Sequence, residues 1–175
     1  MEIKTSRLIL RPMSMEYLES THKYASDLEN TRYMLFLPNN TLEETLGYLR
    51  DAEEEWKKEE PEYYEYALIK DGAHIGAVGL YLDEKRETAE FGWILDKDYW
   101  GQGYTFEAAS ALRDYAAREL GIRHFVAQCD SENRGSYRVM EKLGMKNTGC
   151  TGGRRNKASE EERKELTYEL WMDEI

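Results

Sequence analysis

Between Ala89 and Leu120 the spacing of apolar residues changes period across a turn that holds two glycines. Ala89, Phe91, Trp93 and Leu95 alternate with Glu90, Gly92 and Ile94, a period of two that predicts a strand. From Phe106 the apolar residues Ala109, Leu112, Ala116 and Leu120 recur every three or four positions, with Glu107, Asp114 and Arg118 on the other side. That pattern predicts an amphipathic helix, stopped by Gly121. The short apolar run His124 to Cys129 then predicts a strand returning to the same sheet, and hence one parallel crossover.

The turn between strand and helix, Trp100-Gly101-Gln102-Gly103-Tyr104-Thr105, carries the first functional expectation. A helix begins with unpaired N–H groups and a partial positive charge. Glycines there let a bulky anion reach the backbone. The residues therefore predict a phosphate or pyrophosphate held by the amides of Gly101 to Thr105. A tight turn whose glycines serve only the backbone accounts for the same residues.

The rest of the chain supplies partners for this unit. Arg7 to Arg11 predicts a first strand ended by Pro12, and Ser14 a helix cap for a run toward Leu28. Thr41-Leu42-Glu43-Glu44 has a capping-box pattern. It opens a helix with Leu42, Leu46, Leu49, Ala52 and Trp56 on one face. Tyr63–Lys70 and His74–Leu82 flank Asp71-Gly72, a strong hairpin signal. Asn133 to Leu143 predicts a further helix stopped by Gly144, and Leu166 to Met172 a last strand. The polar stretch from Gly152 to Glu165 predicts a mobile loop.

Composition limits the function classes. One domain over residues 1–175 is the expectation for this length. The formal net charge of -11 disfavours nucleic acid as the main partner. It is compatible with an amine substrate, and also with an acidic surface that only keeps the protein soluble. No apolar run reaches transmembrane length, so no membrane partner is expected. Met1-Glu2-Ile3-Lys4 lacks a secretory signal. Cys129 and Cys150 form no CxxC pair and predict reduced thiols in a cytoplasmic protein. His22, His74 and His124 lack metal or triad spacing, so no metal is expected.

With these residues in place, the chain resembles the GCN5-related N-acetyltransferases, the GNAT superfamily, and most of all its ribosomal-protein N-terminal acetyltransferase branch. One motif is Trp100-Gly101-Gln102-Gly103-Tyr104-Thr105-Phe106-Glu107-Ala108; the other is Asn133-x-x-Ser136 followed by Glu141-Lys142-Leu143-Gly144. The resemblance runs from Thr5 to Leu170. It implies a mixed α/β fold: a mostly antiparallel sheet of about seven strands, helices on both faces, splayed at strands 4 and 5, often at a bulge in the fourth strand. It also implies acetyl-CoA as co-substrate and transfer of its acetyl group to an amine by direct attack in a ternary complex. The acceptor would be a small-molecule amine or a protein N-terminus, and domains of this kind often pair as homodimers.

By position, the resemblance implies that the pantetheine arm pairs with Trp93, Ile94 and Leu95. The pyrophosphate would rest on Gln102 to Thr105, with Asn133 and Ser136 near the thiol. A backbone N–H near Ile94 or Leu95 would meet the oxyanion. Glu90, the only acid in its strand's apolar stretch, is the candidate general base; a glutamate that pairs with a neighbour or faces solvent is the alternative. Ser136 is the candidate to protonate or hydrogen-bond the thiolate, unless it only caps its helix. Met140 occupies a position where many relatives carry a tyrosine acid, and Tyr137 is the runner-up for that role. Met145, in place of the usual phenylalanine, implies a packing change. An acetyl-Cys129 intermediate is the less favoured alternative to a buried small hydrophobe. Two other functions fit less well: an acyl-CoA-binding or sensor module with weak turnover, and a phosphate binder or hydrolase, which the turn opposes by lacking a P-loop Lys-Ser/Thr.

Overall fold

The computed structural model describes residues 1–172. Eight strands form one sheet in the order β1-β2-β3-β4-β5-β6-β8-β7. They are β1 (Ile3–Lys4), β2 (Ile9–Pro12), β3 (Tyr63–Lys70), β4 (Ala73–Leu82), β5 (Thr88–Leu95), β6 (His124–Asp130), β7 (Lys146–Arg155) and β8 (Glu162–Trp171). Four α-helices accompany them: α1 (Leu18–Ala25), α2 (Leu42–Glu55), α3 (Tyr104–Glu119) and α4 (Arg134–Lys142). The sheet is antiparallel except where β5 meets β6, which α3 joins by the expected crossover.

Alternation along the strands divides the core. Leu10, Tyr66, Leu68, Val78, Leu80, Phe91 and Phe125 face Ala108, Leu112 and Ala116 of α3. On the other face Ala67, Ile69 and Ala77 meet Leu49 and Ala52 of α2. Asp71 and Gly72 take φ of 49° and 82°, as a two-residue turn between antiparallel strands requires. At α2 the Thr41 hydroxyl accepts the Glu44 amide at 3.2 Å, and Glu44 accepts the amide of Asn40 at 2.7 Å.

Four expectations change. The sheet has eight strands, because the two-residue β1 pairs with β2 and is too short to leave a pattern. The fourth and fifth strands of the sequence reading are therefore β5 and β6. Most of Gly152 to Glu165 is strand: β7 and β8 form a long hairpin. Its two register shifts and its exposed, glycine-bearing edge strand hide the alternation that would mark it. The first helix stops at Ala25, and Ser14 makes no capping hydrogen bond; Met15–Tyr17 is a single 3-10 turn. Finally, β5 carries no bulge against β4, since its register is unbroken from Leu82↔Ala89 to Gly76↔Leu95.

The sheet splays all the same. Pairing of β5 with β6 runs from Thr88↔His124 to Phe91↔Ala127 and ends there. Beyond it, Gly92 to Leu95 stay with β4 and Gln128 to Asp130 stay with β8. A wedge therefore opens at the C-terminal ends of two parallel strands, beside the N-termini of α3 and α4.

Candidate active site

The wedge leads into a cleft of about 670 Å³, lined by Trp93, Ile94 and Leu95, by Gly101, Gly103, Tyr104 and Thr105, and by Asn133 and Ser136. The two motifs and the strand end, scattered over more than forty positions, thus share one cavity. Gln102 does not line it. Glu90 does not line it either: it sits one pair before the split, level with Tyr81 and Val126.

Backbone geometry decides what β5 can offer. The Asp96 amide bonds to the Ile75 carbonyl at 2.8 Å, so even-numbered positions of β5 point their backbone groups at β4. Those of Trp93 and Leu95 point into the gap that β6 has left. The Leu95 carbonyl already accepts Asn30 Nδ2 at 2.7 Å and the Trp100 indole at 2.8 Å. The backbone N–H and C=O of Trp93 and the N–H of Leu95 remain for a ligand, whereas Ile94 contributes its side chain.

The glycine turn has the shape of an anion nest. Gly101 and Gly103 both lie in the left-handed region, at φ of 75° and 81°, where a side chain is disfavoured. A nest needs its carbonyls turned away from the anion. Arg7 meets that need: its Nη1 donates to the Gln102 carbonyl at 2.8 Å, and its guanidinium lies over the Tyr104 ring. Glu107 holds Arg7 in turn, accepting Arg7 Nε at 2.6 Å, the Arg7 amide at 2.8 Å and the hydroxyls of Thr5 and Ser6. Burial works against the ionised Glu107, but the Thr5 and Arg7 bonds outweigh it and keep its pKa low. Sequence reasoning missed Arg7. Its only local signal is a cation at the start of an apolar run, and its partners lie about a hundred positions away.

Across the cleft, Asn133 caps α4 by accepting the Ser136 amide at 3.2 Å. The Trp93 indole donates to Ser136 Oγ at 3.1 Å, spanning the split. Ser136 Oγ thus accepts from Trp93, and its hydroxyl lies within reach of the Cys129 thiol. Met140 is 1 % exposed and packed in the core, so no acid acts from that position. Met145 is likewise a packing residue. Burial pushes the Cys129 thiol up to about 11, a poor nucleophile at neutral pH.

The opposite face of the split is acidic. Glu65 is buried and accepts hydrogen bonds from Tyr48 and Tyr81. Cβ atoms at the facing pair Gly79 and Gly92 would lie 2.6 Å from the Glu65 carboxylate and 3.2 Å from the Tyr81 ring. Glu165 is held by Arg154 at 2.6 Å. Glu90 has neither a hydrogen bond nor an ion pair from any described residue. Although it keeps solvent contact, desolvation by the surrounding sheet, followed by repulsion from Glu165, raises its pKa above the ordinary carboxylate value. Among the described residues no cluster could hold a metal ion, and no helix is long and apolar enough to cross a membrane. Burial lowers His74 to about 4, so it is a neutral structural residue bonded to Ser20 and Gly76.

A family model described as an acetyltransferase (GNAT) domain matches residues 7–146. The uncharacterized N-acetyltransferase YnaD of Bacillus subtilis is 30% identical over 151 residues, covering 85% of each chain. A crystal structure of a GNAT-family acetyltransferase from Bacillus anthracis superposes with a TM-score of 0.82 at 28% identity, covering 98% of each chain. RimL, a ribosomal-protein alpha-N-acetyltransferase solved with coenzyme A, matches in fold with a TM-score of 0.88 at 19% identity over 99% of each chain.

Proposed function

This chain belongs to the acetyltransferase (GNAT) family and is an acetyl-CoA-dependent N-acetyltransferase; from that premise we propose that one domain, residues 1–175, acetylates an amine by direct attack in a ternary complex within the β5–β6 wedge. The observation that carries the proposal is the junction of the wedge with the glycine turn. A single ligand entering both meets amides for a diphosphate and free strand groups for an amide-bearing arm. The amides from Gly101 to Thr105 take the diphosphate, with Gln102 serving through its backbone while Arg7 holds its carbonyl aside. Trp93 and Leu95 pair with the arm, Ile94 packs against it, and Asn133 sets the start of α4 beside the thiol.

The acceptor amine enters from the acidic face. An alkylamine has a reference pKa of about 10.4 and must lose a proton before it attacks. Glu90 takes that proton, directly or through water. Its missing counter-cation and raised pKa make it a stronger proton acceptor than an ion-paired carboxylate. The N–H of Leu95 donates to the oxyanion, and Ser136 O–H donates to the departing thiolate. The class of acceptor is a cationic amine, whether on a small molecule or at a protein N-terminus. Incubation with acetyl-CoA and a panel of such amines should release free thiol together with acetylated amine. Binding of acetyl-CoA without turnover on any amine would instead favour the sensor-like module.

Ser136→Ala should lower kcat by about 10- to 100-fold while leaving the acetyl-CoA Kd unchanged. The Asn133 cap uses the Ser136 amide and survives the change. Steady-state kinetics beside calorimetric binding would check this, and an unchanged kcat would reduce Ser136 to a support for Trp93.

A further inference from the structure

On the acidic face of the sheet, three residues form one row across three strands. Glu65 of β3 lies opposite Gly79 of β4, and Gly79 lies opposite Gly92 of β5. In the next row Tyr63, Tyr81 and Glu90 stand side by side. The Tyr81 ring stacks on Tyr63 at 5.5 Å and lies over the glycine row, where its hydroxyl donates to Glu65 Oε1. The missing side chains make that possible. A Cβ at Gly79 would come within 2.6 Å of Glu65 Oε1, and one at Gly92 within 3.2 Å of the Tyr81 ring and 3.9 Å of its hydroxyl. Gly92 is also the first residue of β5 past its last pair with β6, Phe91↔Ala127. The Tyr81 hydroxyl therefore stands at the mouth of the split, beside Glu90.

Hydrogen-bond accounting limits what this hydroxyl can do. Glu65 is 5 % exposed, and among the described residues its carboxylate accepts only from the phenols of Tyr48, at 3.1 Å, and Tyr81. A phenol has one proton. Tyr81 gives it to Glu65, so its oxygen is left as an acceptor, and no described residue donates to it. The residue is 41 % exposed, within reach of a solute. An oxyanion and a thiolate have no proton to offer that oxygen; of the groups that meet at the split, the amine has. We infer that Tyr81 holds the acceptor: its oxygen accepts one N–H and keeps the nitrogen over Gly92, while Glu65 is a positioning residue that acts through Tyr81. The proton that nitrogen loses goes to Glu90, and Tyr81 keeps its own. The inference rests on the amine entering this face with Glu90 as base, as proposed above.

The test compares wild type with Tyr81→Phe, Glu65→Gln and the double variant, with butylamine, spermidine and tetra-alanine as acceptors. Phenylalanine keeps the ring over Gly92 and its stack on Tyr63, and removes the oxygen alone. Tyr81→Phe should lower kcat/KM for the best wild-type acceptor by about 10- to 100-fold, through a higher KM, with the Kd for acetyl-CoA unchanged. Glu65→Gln should lower it by about 3- to 10-fold. The double variant should match Tyr81→Phe, because Glu65 has no other route to the amine. It also lacks the buried carboxylate that Tyr81→Phe leaves short of a donor, so it supplies the measurement where the single variant is unstable. Wild-type kcat/KM in Tyr81→Phe or in the double variant would overturn the inference. So would an equal loss of acetyl-CoA affinity, which marks a packing fault in the split. Losses that add in the double variant would overturn the action of Glu65 through Tyr81. A wild-type rate in Glu90→Gln, with the Tyr81→Phe effect intact, would remove the base alone. No turnover of any of the three amines by wild type would overturn the amine site and this contact with it.

Discussion

Valine at Gly103 is expected to raise the Kd for acetyl-CoA by about 100-fold or more while the protein still folds. Gly103 sits at φ of 81°, immediately before α3. An L-residue in the left-handed region costs roughly 1–2 kcal/mol, and a β-branched residue is a worse fit still. A Cβ there would also lie 3.4 Å from Arg7 Nη2. The turn then leaves the left-handed conformation, and the amides around Gly103 no longer converge. Hydrogen bonds to a charged group are worth about 1.5–3 kcal/mol each, so the loss of two gives the expected change. Gly103 is exposed and outside both core clusters, so the cost to stability stays near that of the strained backbone. Calorimetry with a melting curve separates the two effects. Wild-type affinity in a folded Gly103→Val protein would remove the diphosphate from this turn.

The second large effect falls on rate. Glu90→Gln should lower kcat/KM by about 100-fold or more near pH 7, and the deficit should narrow as pH approaches the pKa of the amine. Solvent supplies free amine at high pH, so the base matters most where the amine is protonated. Unfolding does not mimic this result. The folded-state pKa of Glu90 is raised by desolvation and by Glu165, so folding favours its protonated form relative to the unfolded chain. Its contribution to stability is present below the unfolded carboxylate pKa and is lost as pH rises through the folded value. Glutamine cannot ionise and escapes that loss, so the variant should be no less stable than wild type at neutral and alkaline pH. A pH–rate profile parallel to wild type, only lower, would take the role of base from Glu90.

Several features were legible before any fold was known because they depend on chain neighbours. The period change around the glycine turn placed β5 and α3 within a few residues. Asp71-Gly72 marked its hairpin, and Asn133 and Gly144 bracket α4 as its sequence suggests. Signals failed where pairing partners, not neighbours, determine structure. β1 is two residues long, and β7 is an edge strand with one buried position, Arg154. Neither leaves an apolar pattern, because neither buries an apolar face. Ser14 illustrates the opposite error: a residue suited to capping, beside a turn that did not need its side chain.

The sequence by itself determined the local units: a strand, a left-handed glycine turn and a helix start whose amides can meet an anion, with a second capped helix to follow. Short-range sterics and apolar spacing are enough for that. Only the tertiary structure decided which strand groups are free, since this depends on where β6 leaves β5. It also brought Arg7 to a carbonyl 95 positions away and set the Trp93 indole on Ser136. Sheet order and helix packing create such contacts, and no local pattern encodes them.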